Sequence, residues 1–355
     1  MAERLDRRGF AARLVALAAW PSVSMTATAA GWRTFEVVTR VDLGDAPGAA
    51  RLWLPLPLAE ATPYQRTVSL RFETTAPRQQ RVASAGYRLA VQQAVWDESA
   101  GPRTATLTAV VATRDRGRAA EAPQTAESLA PYLRPTRLLP TDGIVRETAL
   151  RIVAGARDDE TRARRLYDWI VDHTFRDPAV EGCGLGDIRW MLESGSLGGK
   201  CADLNALFVG LARAVGLPAR DVYGLRIAPS AAFRSLGRSG DVTTAQHCRA
   251  EVHLAGRGWV AVDPADVRKV VLEEQPGGAL PLDDSRVRRA RADAFGRWEM
   301  NWIAFNDAHD VVLDGAQGRP LPFLMYPHAE VGGTSRRGER PEIFRYTIEA
   351  RDLQA

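Results

Sequence analysis

Apolar residues recur at helical spacing just past residue 200: Leu204, Leu207, Phe208, Leu211 and Val215 share one helix face. Gly198 and Gly199 break the chain before this face and Gly216 ends it, so Cys201 falls in the first turn. Two helices are expected upstream. One spans 143–154, capped by Thr141-Asp142, with Ile144, Val145, Ala149, Ile152 and Val153 as its stripe. The other opens on Asp158-Asp159-Glu160 and presents Ala163, Leu166, Tyr167, Ile170 and Val171. A short helix fits 188–192. The three prolines of 128–140 predict an extended surface path.

Elsewhere the period is two. Val68, Leu70 and Phe72 alternate with polar residues. Runs at 35–43, 50–54, 67–74, 87–95 and 104–113 are divided by Gly- and Pro-rich breaks. That spacing predicts an antiparallel sandwich over 31–115. A charged, alanine-rich stretch at 116–127 reads as a linker. Past the cysteine helix, 221–227, 248–254 and 259–262 read as strands, the last two joined at Gly256-Arg257-Gly258. The region 128–275 forms the core of the second domain, and 276–355 is a closing segment. Strands are expected there at 298–306, 310–313, 321–326 and 343–350, with polar loops at 277–291 and 332–340. The fold class is α+β: a mixed helix and sheet core preceded by an all-β, sandwich-like domain.

Composition adds little to this. The chain is 45% hydrophobic and 25% charged, as soluble globular proteins are. Its net charge of +4 is arginine interspersed with acids, not a basic stripe, so no nucleic-acid partner is implied. Only Lys200 and Lys269 are lysines, and Lys200 adjoins Cys201. The first thirty residues have a leader's layout. Arg7-Arg8-Gly9-Phe10 resembles the twin-arginine export signal, a weakly apolar run follows, and Ala27-Thr28-Ala29 fits a cleavage site. Residues 1–29 are therefore expected to be a signal peptide and the mature chain to be periplasmic. The mature chain has no stretch long and apolar enough for an integral membrane segment.

A thiol at a helix N-terminus loses its proton readily, because unpaired N–H groups and the dipole favour the thiolate. A nucleophilic thiolate needs a base in reach and a group to orient that base. His247 and Asp263 lie on the two arms of one hairpin. An even turn would put them on opposite faces, and an odd turn with a glycine bulge would return them to one. The sequence leaves that register open.

Four segments resemble the transglutaminase-like superfamily, a papain-like cysteine fold, over 128–266. They are Gly199-Lys200-Cys201, the stretch from Gly216-Leu217-Pro218-Ala219-Arg220 to Gly224, His247 to Glu251, and Gly258-Trp259 to Asp263-Pro264. The segments around Cys183 and His247-Cys248-Arg249 resemble a bacterial, exported branch. Arg249 stands where many members carry an aromatic. The resemblance implies a transglutaminase-type core with Cys201 as nucleophile, His247 as base and Asp263 as orienter, on one face. It implies acyl transfer on amides of a peptide or protein substrate. Hydrolysis of a peptide or isopeptide bond is the first expectation; glutamine–lysine cross-linking and a non-catalytic peptide- or glycan-binding module are the alternatives.

Gly199, Lys200, Asp203 and Trp259 are candidate cleft residues. Three cysteines leave Cys183 and Cys248 as a candidate disulfide once Cys201 stays reduced. No Cys-x-x-Cys spacing accompanies them, so no metal centre is implied, and no organic cofactor. Oligomeric state is not legible. His253 lacks the motif context of a base, and His173, His309 and His328 read as surface or loop residues.

Overall fold

Strands β1 (Arg33–Asp42), β2 (Ala50–Pro55), β3 (Gln65–Thr74), β4 (Arg78–Ala83), β5 (Ala90–Trp96) and β6 (Thr104–Thr113) open the fold. The computed structural model describes residues 31–354 apart from 46, 85, 99–100 and 118–123. The leader expected at 1–29 and part of the expected linker lie outside the described residues. Every pairing among these six strands is antiparallel, with β1, β6 and β3 in one sheet and β2, β5 and β4 in the other. Phe35, Val37, Leu107 and Val111 meet Leu52, Leu54, Ala94 and Trp96 between the sheets. The alternating runs close a sandwich because one face of each strand is apolar.

Two details differ from the sequence reading. Strand β4, Arg-Gln-Gln-Arg-Val-Ala, has no apolar face and lies at a sheet edge, where charge blunts further pairing. Val68 does not share the face of Leu70 and Phe72. A bulge between Thr67 and Ser69 turns it outward, and it is 62% exposed.

The second region packs helices α1 (Gly143–Val153), α2 (Asp159–His173), α3 (Ile188–Ser194) and α4 (Cys201–Ala214) against a sheet. Its strands are β7 (Ala219–Arg226), β8 (Gln246–Leu254), β9 (Gly258–Val262) and β10 (Trp302–Asn306). They lie in the antiparallel order β9-β8-β7-β10. Helices α5 (Pro264–Glu273) and α6 (Ser285–Asp293) follow β9. Asp158 caps α2 by accepting the Thr161 N–H at 2.8 Å, and all five of its expected apolar residues are buried. The apolar stripe of α4 understates its position, because every residue of that helix is buried. Gly210 lets α3 approach: a Cβ there would stand 2.1 Å from the Ile188 side chain.

Residues 128–140 do not run extended over the surface. They begin in a short helix, Ala126–Leu129, and a 3-10 turn, Ala130–Leu133, and Tyr132, Leu138 and Leu139 are buried. Helix α6 forms where a polar loop was expected. Its apolar anchor is only Val287 and Ala290, and Arg291 ties it to Asp168 and Asp172 of α2 at 2.8 and 2.6 Å.

The closing strands divide between the layers. β10 joins the central sheet. β11 (His328–Val331) and β12 (Thr334–Arg336) extend the sandwich beyond β2, and β13 (Tyr346–Asp352) pairs with β1. Residues 332 and 333, expected in a loose loop, form the tight β11–β12 turn, both glycines at positive φ.

The sandwich and the central sheet are locked by buried ions. Glu251 on β8 pairs with Arg116 and Arg220, and Arg88 Nη2 lies 3.7 Å away. Arg88 reaches Asp307 at 2.7 Å, and the Tyr132 hydroxyl donates to the same carboxylate at 3.0 Å.

Candidate active site

The start of α4 is held by one carboxylate. Asp203 accepts the N–H groups of Lys200, Leu185 and Gly186, each at 2.9 Å. This closes the helix terminus and clamps the loop 182–187 onto it. The close approach needs glycine. Gly184 has φ +92, and a Cβ there would stand 1.8 Å from Asp203 Oδ2; a Cβ on Gly199 would stand 2.5 Å from the Asp203 Cβ. Gly199 and Asp203 therefore set the helix start. The same loop delivers Cys183, whose carbonyl accepts the Ala202 N–H at 2.8 Å.

The hairpin turn is odd. Ala250 pairs with Val262, Val252 with Val260 and Leu254 with Gly258, leaving 255–257 as the turn, with Gly256 at φ +76. Asp263 thus falls in line with Arg249 and on the face of His247. His247 Nε2 lies 2.8 Å from Asp263 Oδ2. Asp263 also caps α5: its Oδ1 accepts the Asp266 N–H at 3.1 Å and Asn205 Nδ2 at 3.3 Å. The Trp302 indole N–H donates to the His247 carbonyl at 2.8 Å and fixes the strand. Nε2 is engaged by Asp263, which leaves Nδ1 for a second partner, and His247 lines the same cavity as Cys201.

Charge around this line is dense. Asp266 Oδ1 lies 3.4 Å from His247 Nε2 and pairs with Arg226. Arg249 Nε stands 3.6 Å from Asp263 Oδ2, and its guanidinium lies over the rings of Trp302 and Trp298 at 4.8 and 5.5 Å. Hydrogen bonds from the Cys183 and Cys248 thiols outweigh burial and, with His247, hold the Cys201 pKa well below the usual thiol value. Burial and Arg226 push the His247 pKa down, but Asp266 and Asp263 carry it above the usual imidazole value. The arrangement favours thiolate beside imidazolium.

All three cysteines are free, so the candidate Cys183–Cys248 disulfide is not formed. The Cys183 thiol instead donates to the Gln246 carbonyl at 3.3 Å, and Asn205 Nδ2 lies 3.9 Å from the Cys248 sulfur. The pKa values of both thiols rise well above normal: that of Cys183 through its bond to Cys201 and then burial, that of Cys248 through burial first. Trp259 is not in the cleft. It lies under the Arg220 guanidinium, 3.8 Å from its ring, and packs edge-on to Tyr132 and His253. His309 and His328, expected at the surface or in loops, are buried, His309 in a loop beside Asp221 and His328 on β11 beside Trp53. Lys200 lines the cavity at Cys201 but is not among the strongest influences on that thiol.

His247, Asp263 and Asp266 bring three ligand-type atoms within 4.8 Å of one another. Arg226 and Arg249 already neutralise those carboxylates, so a dication would meet two guanidinium groups there. The donor set fits an oriented imidazole better than a metal. Asp266 went unnoticed in the sequence, although an acid in the first turn after Asp-Pro was a legible signal. Tyr326 and Gln246, which also line the cavity, carried no signal.

The sequence profile of the transglutaminase-like superfamily matches residues 146–264. An uncharacterized protein of Haemophilus influenzae is 34% identical over 327 residues, 86% of this chain and 87% of its own length. The crystal structure of a candidate cysteine protease from Cytophaga hutchinsonii shares the fold. Its TM-score is 0.54 at 14% identity, covering 91% of this chain and 92% of that one. The periplasmic domain of TgpA from Pseudomonas aeruginosa overlaps at a TM-score of 0.37 and 15% identity, over 74% of this chain and 92% of that one. The chain belongs to the transglutaminase-like superfamily. That fold supports a cysteine-dependent function. Among the described residues no helix is long and apolar enough to cross a membrane.

Proposed function

We propose that the protein is a periplasmic cysteine hydrolase of peptide or isopeptide amides, with Cys201 as nucleophile, His247 as acid–base and Asp263 as orienter. The observation that carries this reading is His247, bonded to Asp263 and lining the same cavity as Cys201. The thiolate attacks the amide carbonyl, and the carbonyl π-electrons move onto oxygen. The Cys201 N–H, at the positive end of α4, is a donor for that oxyanion. Collapse expels the amine, which takes its proton from His247 Nδ1, and leaves a thioester. Water, deprotonated by His247, then releases the acid and restores the thiol. The periplasmic assignment rests on the leader-like residues 1–29.

Turnover of a glutamine peptide with an added primary amine tests the outcome. Free acid is expected as the main product. Predominant amine conjugate would replace hydrolysis with cross-linking, and no Cys201-dependent product with any amide would favour a binding module.

The pH profile is a second test. The acid limb of kcat/KM should report the Cys201–His247 pair below the usual thiol range, and the basic limb should lie above the usual imidazole value of about 6.5. Rates that only begin to climb near pH 8.5 would show an unactivated thiol.

A further inference from the structure

Both lysines of the chain line one cavity. Lys200 and Lys269 share a 470 Å³ space beside Cys201 and His247 with Arg176, Arg226, Arg234 and Arg238. Only two acids, Glu273 and Glu339, line it with them. Arg226 is committed to Asp266, and Glu273 is shared by Arg176 and, at 3.7 Å, Lys269. Arg238 is held by neutral oxygens, the Asp241 carbonyl at 2.8 Å and the Thr244 hydroxyl at 2.9 Å. Arg234 Nη2 sits on the carbonyls of Glu273 and Glu274 at 2.8 and 3.1 Å, and the Glu274 carboxylate behind it is taken up by the N–H groups of Arg234 and Ser235 and the Ser235 hydroxyl. The Lys200 ammonium has no acid or acceptor among the described residues. It also stands at the positive end of α4, where an anion is favoured and a cation is not. Burial and Arg226 push the Lys269 pKa down, against Glu273.

A cleft lined by surplus positive charge concentrates anions. We infer that this cavity receives a carboxylate of the substrate, one or two residues from the amide that Cys201 attacks. The inference rests on the proposed role of Cys201 only for naming that amide. Lys200 and Lys269 are the carboxylate's partners, and the arginines supply the field. The carboxylate is either an acidic side chain or a free C-terminus; both offer the same two acceptor oxygens.

Calorimetric binding to the Cys201→Ala chain separates these sources without requiring catalysis. The probes are acetyl-Ala-Gln-Ala-amide, acetyl-Ala-Glu-Ala-amide and acetyl-Ala-Gln-Ala free acid. At low salt at least one acidic peptide should bind about tenfold more tightly than the neutral one. The preference should shrink as salt is added. A gain for the Glu peptide alone identifies a side-chain carboxylate, and a gain for the free acid alone identifies a chain terminus. Lys200→Met and Lys269→Met, added separately and checked by thermal melting, should each reduce the preference. Equal affinities, no binding of either acidic peptide, or a preference that survives both replacements would overturn the inference. Failure of the wild-type chain to turn over any amide would defeat the nucleophile reading and leave this binding result standing.

Discussion

Cys201→Ala should abolish amide turnover, a loss of at least about 10⁴-fold in kcat/KM, while the chain stays folded. Alanine suits the first turn of a buried helix. The missing sulfur leaves a gap beside Cys183 and Cys248 that costs only about 1–2 kcal/mol. Asp263→Asn should reach a similar loss, about 10⁴-fold in kcat, by another route. Two donors, the Asp266 N–H and Asn205 Nδ2, already demand an acceptor at the Oδ1 position. The new amide nitrogen must then take the Oδ2 position, 2.8 Å from His247 Nε2. There it donates, so the imidazole proton moves to Nδ1, the nitrogen that should receive the thiol's proton. Asparagine caps a helix as well as aspartate does, and Asp266 remains as an anion beside His247, so the fold should survive the lost charge beside Arg249 at a cost of about 1–3 kcal/mol. Steady-state kinetics with a melting curve on each variant checks both expectations. Full activity in folded Asp263→Asn would remove Asp263 from its role.

Glu251→Gln should destabilise the fold by about 3 kcal/mol, because it removes the buried negative charge that Arg116, Arg220 and Arg88 share. Arg116 and Arg220 both lose the Glu251 charge, and Asp307 remains beside Arg88 and Arg220. Burial alone would raise the Glu251 carboxyl, but Arg116, Arg220 and Arg88 outweigh it and hold it at about 2. A depressed folded-state value gives stability that is fully present above the unfolded value of about 4.3 and is lost as pH falls toward 2. Wild-type stability should therefore decline across that window, and Glu251→Gln should flatten the decline. Urea unfolding at several pH values measures both effects. An unchanged midpoint at neutral pH would mean that the ion cluster does not hold the layers together.

How much of this was legible depends on range. Helices α2 and α4 could be read because cap and stripe lie within one turn of each other. The hairpin was legible, but its register was not, since one residue in the turn decides which face Asp263 takes. Helix α6 escaped because its hold on α2 is a set of arginine–aspartate pairs that no periodicity announces. The division of the closing strands between two layers was equally silent, because pairing partners so far apart leave no local mark. At the candidate site, Cys201, His247 and Asp263 were read from the order of their motifs. The neighbouring thiols were visible as residues but not as neighbours of Cys201, and Asp266 was not visible as a second anion on the imidazole. Lys269 meets Lys200 only through the fold.

The pairing of β13 with β1 has a consequence for the order of events at the ribosome. Arg33 is bound to Asp352 across 319 residues of chain. While the ribosome is still making the region around Cys201, β1 has no partner on that flank and presents an open edge. The β1 flank of the sandwich therefore closes only after the region around Cys201 has been made, and a translation product stopped before residue 346 would carry a bare β-edge prone to pairing between chains.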